Sequence, residues 1–179
     1  EQGIAPRDIL AITFTNKAAG DMQQRIEQLV PGSSSGSQRV WVSTFHKFCA
    51  RLLRFHGEHV GLREGYVIYD TSDRSKVIKQ ALEKVGIDKT HLPPDRVDNE
   101  ISRAKNKLLD AVAYQENADD YFRSNVAKVY RVYQEQLLQA NAVDFDDLLL
   151  HVALMLRDNP ELRRDLDDRH RFVLVDEYQ

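Results

Sequence analysis

The sequence predicts an α/β protein in which a parallel sheet is interrupted by a block of helices. Three observations carry this. "DILAITF" (Asp8–Phe14) and the later "FVLV" (Phe172–Val175) are nearly unbroken apolar runs, as in parallel strands covered on both faces. Helical stripes follow the first two predicted strands directly. Residues 71–142 read as helix and loop, with no strand signal.

Taken in order, the first strand leads into a helix from about Lys17, with Ala18, Met22, Ile26 and Leu29 on one stripe. "PGSSSGS" (Pro31–Ser37) reads as a surface loop. "RVWVST" (Arg39–Thr44) is the second strand, and Phe45, Phe48, Cys49, Leu52 and Leu53 mark the helix after it. "GYVIYD" (Gly65–Asp70) is a short third strand. Asp70 or Thr71 then caps a helix carrying Val77, Ile78, Ala81, Leu82 and Val85. "LPP" (Leu92–Pro94) breaks the chain. Two further stripes follow, one on Val97, Ile101, Ala104 and Leu108, the other on Val126, Val129, Tyr130, Tyr133 and Leu137. "VDFDDLLLHVALML" (Val143–Leu156) begins a helix behind an aspartate cap. "NPEL" (Asn159–Leu162) sets a cap before Pro at the first helical position. The last strand is read as buried, ending in Asp176, Glu177, Tyr178 and Gln179.

The 179 residues are 42% hydrophobic and 30% charged, which supports a core and excludes a disordered tail. No apolar run is long enough to span a bilayer. The start, "EQGIAPRDIL", lacks the basic and apolar regions of a signal peptide. One cysteine, Cys49, excludes an internal disulfide, which fits a reducing cytoplasm. The net charge of −3 argues against binding nucleic acid by bulk charge. Charge is nevertheless uneven: residues 39–70 hold five bases against three acids, and residues 143–179 hold ten acids against five bases. Any anion-binding surface is therefore local.

Three stretches carry candidate chemistry, each beside a plain structural reading. In "FVLVDEYQ", two acids stand at a strand end, where ligands bind in open α/β sheets. One carboxylate there can hold Mg²⁺ and the other can take a proton from water. The alternative is a solvated strand terminus. In "STFHKFCARLLR" (Ser43–Arg54), Thr44 and His46 sit at a strand-to-helix turn whose free backbone N–H groups favour an anion. Lys47, Arg51 and Arg54 share a helical face there, as a phosphate-tracking stripe or a solvated one. In "ITFTNKAAGDM" (Ile12–Met22), Thr13 and Thr15 can donate to phosphate oxygens, Phe14 offers a stacking ring, and Lys17 adds charge. Thr15 or Asn16 can equally serve as a helix cap, and Phe14 can be core.

Other signals are weaker. Ser102-Arg-Ala-Lys105 matches a serine β-lactamase tetrad without its companion motifs. His46, His56 and His59 lack supporting metal ligands. The "DFDD" acids (Asp144, Asp146, Asp147) lack the glycine and distal glutamate of a Ca²⁺ loop.

In their order and spacing, "ILAITFTNKAAGDM", "VWVSTFHKFCARLLR", "DFDDLL" and "FVLVDEYQ" resemble the UvrD/Rep/PcrA-type superfamily 1 DNA helicases, over essentially the whole chain. The resemblance implies an ATP-driven helicase that unwinds duplex DNA with 3′→5′ polarity. Residues 1–70 and 143–179 then match the first RecA-like domain, a P-loop NTPase sheet. Residues 71–142 match an all-helical inserted subdomain. "TFTNKAA" matches a motif that contacts single-stranded DNA, so Thr13, Phe14, Thr15, Asn16 and Lys17 inherit that role, Phe14 by stacking. "STFH" matches a second DNA-contacting motif, which nominates Thr44, Phe45 and His46. "VDEYQ" matches the Walker B motif, with Asp176 serving Mg²⁺, Glu177 acting as general base and Gln179 sensing the γ-phosphate. "DFDDLL" is a family signature whose acids read as capping and packing.

The sequence also departs from the pattern. No G-x-x-x-x-G-K-[ST] occurs in it. The family places that loop just upstream of this chain's first residue, so the chain is expected to be a fragment. ATP and Mg²⁺ are then cofactors of the parent protein, with neither expected to bind this piece. Two other readings stand beside this one: the helicase part of a RecB/AddA-like helicase–nuclease, and an ATP-independent nucleic-acid-binding module.

Overall fold

In the computed structural model, which describes residues 4–30, 39–88 and 90–176, the chain is a small parallel sheet with many helices. Its elements are β1 (Ile9–Thr13), α1 (Asn16–Leu29), β2 (Trp41–Thr44), α2 (Phe45–His56), β3 (Val67–Ile68), α3 (Thr71–Val85), α4 (Pro94–Asn106), α5 (Ala111–Glu116), α6 (Tyr121–Gln139), β4 (Ala142–Val143), α7 (Phe145–Asp158), α8 (Pro160–Arg169) and β5 (Phe172–Val175). Two compact units result, Glu1–Arg51 with Leu156–Gln179, and Leu52–Met155. The second unit is wider than the helical block at 71–142 that the sequence suggests, because it includes the second half of α2, β3 and most of α7. The expected loop at Pro31–Ser37 lies outside the described residues.

The first unit holds a sheet in the order β2-β1-β5, parallel throughout. Strand β1 is central and buried, with Leu10, Ala11, Ile12 and Thr13 all below 5% exposed. Parallel strands need a crossover, and α1 supplies it between β1 and β2. Its stripe is only partly buried, and Leu29 is exposed. Strand β5 corrects the expectation of a buried strand: Phe172, Val173 and Leu174 are 39–59% exposed. The cause is positional. Among the described residues, β5 pairs on one edge alone, with β1, and its apolar faces are left uncovered.

The second unit corrects the strand at Gly65–Asp70. It shrinks to β3, and it pairs with β4, Val67 opposite Ala142 and Ile68 opposite Val143, apart from the main sheet. Helix α7 accordingly starts at Phe145 and leaves Val143 to the strand. The pivot is Asn141, whose φ of 51° lies in the left-handed region that asparagine tolerates. Its side chain accepts from the Arg63 N–H at 2.8 Å, and its carbonyl accepts from the Val67 N–H at 3.0 Å. The helical core behind this ribbon is apolar. Ile78 and Leu82 of α3, Val97 and Ile101 of α4, and Val126, Tyr130, Tyr133 and Leu137 of α6 are each fully buried. These are the residues that the periodicity marks as inward-facing.

One polar knot interrupts that core, and it is built from the motifs that composition leaves unexplained. Asp144 and Asp147 cap the start of α7 reciprocally. The Asp147 N–H donates to Asp144 at 2.8 Å and the Asp144 N–H donates to Asp147 at 3.0 Å, an aspartate version of the capping box. Lys105 of α4, fully buried, reaches both carboxylates at 2.7 Å. The Tyr133 hydroxyl donates to Asp144 at 2.7 Å, and Gln134 donates to Asp147 at 3.1 Å. Asp146 accepts from Ser102 at 2.7 Å and from Arg74 at 2.6 Å, and Arg74 also holds Asp98. The tetrad residues Ser102 and Lys105 are thus partners of the "DFDD" acids. Four helices, α3, α4, α6 and α7, meet in this knot.

Burial by itself pushes the Asp144 carboxyl up. Lys105, Arg74 and the Tyr133 hydrogen bond outweigh burial and hold it at about 2. Burial pushes the His151 imidazole down, against the opposing pull of Asp147. Both groups therefore stabilise the fold at neutral pH and lose that contribution in acid. Replacement of Lys105 removes the cation that both buried carboxylates share and leaves Asp144 with Arg74 alone. Lys105→Met is expected to cost about 3–5 kcal/mol at neutral pH in urea unfolding. In that variant burial opposes the Asp144 charge with one cation fewer, so its carboxyl rises from the parent's low value and acid costs the variant less than the parent. Its deficit relative to the parent then shrinks as pH falls toward the carboxylate range. A deficit independent of pH would contradict the charge assignment.

Candidate functional site

The carboxyl ends of the three main strands lie side by side. Thr13 pairs in register with Thr44, Ile12 with Val175, and the Asp176 N–H donates to the Ile12 carbonyl at 3.0 Å. Three stretches distant in sequence therefore end at one edge of the sheet. Two of them turn at once into helices, so the first N–H groups of α1 and α2 open there as well.

The hydroxyls serve as caps. Thr15 Oγ1 accepts from the Ala18 N–H at 3.1 Å, and Thr44 Oγ1 accepts from the Lys47 N–H at 3.3 Å. Capping consumes acceptor capacity and leaves each hydroxyl its proton. A capped threonine can still donate to an anionic oxygen, so the two readings of these residues are compatible. Thr13 and Thr44 are 1% and 5% exposed, while Thr15, Asn16 and Lys17 are exposed. Thr13 thus anchors the strand end from inside. Ser43, one residue before Thr44, is buried, and its hydroxyl donates to the Thr44 carbonyl at 3.1 Å.

Phe14 is not core. It is 60% exposed, and its ring centroid lies 5.1 Å from that of half-buried Phe45, the planes tilted by 49°. Two aromatic rings from separate motifs thus form one platform at the sheet edge. His46, the next residue on α2, is half-buried. Asp176 is exposed at the end of β5. Glu177 and Gln179 lie outside the described residues. Among the described residues, no group of three His, Cys, Asp or Glu side chains gathers to hold a metal.

The basic stripe of α2 does not act as one track. The helix starts at the carboxyl end of β2 and runs away from it at 1.5 Å per residue. Lys47 stays near the start, whereas Arg51 stacks on Trp41 at 4.9 Å and Arg54 lies 6.0 Å from the Tyr66 ring. Sequence spacing alone could show a shared face but not these separate destinations. Cys49, on the same helix, is buried, and burial pushes its thiol up to about 12.

A family model described as the UvrD/REP helicase N-terminal domain matches residues 1–179. The ATP-dependent DNA helicase PcrA of Staphylococcus epidermidis is 38% identical over all 179 residues, which cover 24% of that protein. The PcrA of Staphylococcus aureus is 37% identical over the same span, again 24% of its length. The chain therefore spans about a quarter of the curated relatives it matches. No helix among the described residues is long and apolar enough to cross a membrane.

Thr15→Ala is expected to cost about 1 kcal/mol by removing the α1 cap. Because Cys49 reacts as a thiolate and is buried, its labelling reports opening of the first unit. The labelling rate under native conditions is expected to rise about fivefold in Thr15→Ala and to stay near the parent's in Thr15→Ser. Equal rates in all three would show that Thr15 does not hold the helix.

Proposed function

The chain belongs to the UvrD/REP helicase N-terminal domain family, and from that premise we propose that it is the single-strand-gripping part of an ATP-dependent DNA helicase. The carrying observation is the Phe14–Phe45 platform beside two capped helix starts. A base stacks on Phe14, and the exposed N–H groups, hydroxyls and Lys17 meet the adjoining phosphates. Thr13 and Thr44 hold the strand ends that present these groups, and His46 and Asn16 flank them.

In this reading, residues 1–70 and 143–179 are the first RecA-like domain and residues 71–142 its helical accessory subdomain. The parent protein moves 3′→5′ on DNA in repair or replication, in the cytoplasm. Asp176 serves Mg²⁺, Glu177 is the general base, and Gln179 reads the γ-phosphate. The residues of this chain do not make a complete ATP–Mg²⁺ site. Asp176 is exposed at the end of β5, and the sequence holds no glycine-rich phosphate cradle. The helicase–nuclease and stand-alone-module readings gain nothing from the two PcrA helicases compared above.

Two outcomes test this. Phe14→Ala is expected to weaken oligo-dT binding by about 1–3 kcal/mol with an unchanged circular dichroism spectrum. Unaltered affinity in fluorescence anisotropy would remove Phe14 from the interface. The chain alone is expected to show no ATPase, because phosphates must be held as well as attacked. DNA-stimulated phosphate release above background would contradict that.

A further inference from the structure

The helical unit carries two neighbouring clefts on the face shared by α4, α5 and α6, outside the polar knot. The first, of 340 Å³, is lined by Glu100 and Arg103 of α4, Lys107 just after it, Tyr114 of α5 and Arg123 of α6. The second, of 600 Å³, shares Glu100, Arg103 and Arg123 and adds Arg96 and Phe122. Three bases against one acid make the first cleft cationic. Its one carboxylate is already engaged: Glu100 accepts from the Tyr114 hydroxyl at 3.1 Å and lies 3.7 Å from Arg103. Arg123 is held by Asp119 at 2.8 Å. Arg103 and Lys107 are the cations that reach furthest into solvent. The Arg103 side chain is 77% exposed, and exposed Lys107 makes no ion pair among the described residues.

Bases in the last turn of a helix complement its dipole, which accounts for Arg103 and Lys107 by themselves. It does not account for Leu108. That residue follows them with a φ of 57°, in the left-handed region. The Leu108 N–H donates to the Lys105 carbonyl at 2.9 Å, and the Leu109 N–H donates to the Ala104 carbonyl at 3.0 Å. This pair of bonds is the helix ending whose left-handed position usually belongs to glycine. Glycine holds it freely, whereas a leucine there strains the backbone. Leu108 is also 48% exposed, so core packing does not offset the strain. Tyr121, beside Phe122 at the start of α6, is 86% exposed. Strained and exposed apolar residues beside exposed cations are features that folding does not require.

We propose that this face docks an acidic peptide segment of a partner protein, with a carboxylate in the cationic cleft and a large apolar residue against Leu108. Arg103 and Lys107 take the carboxylate. Tyr121 extends the apolar contact on the α6 side, and tyrosine and arginine are residue types that anchor protein interfaces. A phosphate backbone would use the bases, yet it would gain nothing from Leu108 and would meet Asp95 and Asp120 in the second cleft. A peptide that joins acid to apolar side chain uses both features. The site is separate from the Phe14–Phe45 platform and does not depend on it.

A phage-displayed library of random dodecapeptides, panned on the whole chain, tests this, with affinities of the enriched peptides read by fluorescence anisotropy. Enriched sequences are expected to place Asp or Glu close to Leu, Ile or Phe. Arg103→Gln and Lys107→Gln are each expected to weaken their binding about tenfold. Leu108→Gly and Leu108→Asn are expected to weaken it about tenfold as well. Leu108→Gly is expected to leave the thermal unfolding midpoint at or above the parent's, because glycine relieves the left-handed strain. Phe14→Ala is expected to leave peptide binding unchanged. The proposal is overturned if no acid-bearing peptide is enriched, or if affinity survives the Lys107 and Leu108 variants. It is equally overturned if Leu108→Gly lowers the midpoint, if Phe14→Ala abolishes binding, or if this face binds a short DNA duplex and no peptide.

Discussion

Parallel pairing on both edges of β1 is the constraint from which the rest of the first unit follows. It sets Thr13 opposite Thr44 and Ile12 opposite Val175. Leu10, Ala11, Ile12 and Thr13 are buried in succession, so a one-residue slip would carry one end of this run out of cover. Burial of Leu10, Ala11 and Ile12 opposes any such slip. Once register is fixed, three separated motifs end at one edge and their amino-terminal arginines gather at the other. Strands of four or five residues, at about 3.3 Å each, keep the two edges well apart.

In the function proposed, the carboxyl edge joins stability and recognition in the same atoms. Thr15 and Thr44 must cap their helices if the helices are to start where the strands stop. Those starts are where backbone N–H groups face an anion. Helix geometry would therefore build the proposed interface as a by-product of ending the strand cleanly. Phe14 is the exception, since it contributes little to the core and stands exposed beside Phe45. The helical unit follows a different logic. Its apolar core is interrupted by Lys105, Asp144 and Asp147, whose burial is tolerable because each charge is paired and hydrogen-bonded.

Much of this was legible in sequence, for physical reasons that differ between elements. The α3, α4 and α6 stripes report burial at Ile78, Val97, Ile101, Tyr130 and Tyr133, whereas Leu108, read on the stripe of Val97 and Ile101, lies past the end of α4 and is exposed. Strands β1 and β2 and the turn motifs are local signals. Pairing partners are not local: nothing in "GYVIYD" shows that β3 joins Ala142–Val143. The apolar content of β5 implied cover, yet the described residues give it one neighbour. The tetrad Ser102–Lys105 and the acids of "DFDD" each resembled a site, and they proved to be each other's partners. Arg7, Arg39 and Arg169 are spread along the chain and become a cluster only through the sheet.

The central claim is that single-stranded DNA is gripped at the carboxyl edge of the sheet, at the Phe14–Phe45 platform. Hydrogen exchange of backbone amides with and without oligo-dT tests it most directly. The account predicts that DNA slows exchange over residues 13–18 and 44–48, at the two helix starts. Protection absent from both segments, and found only elsewhere in the chain, would contradict it.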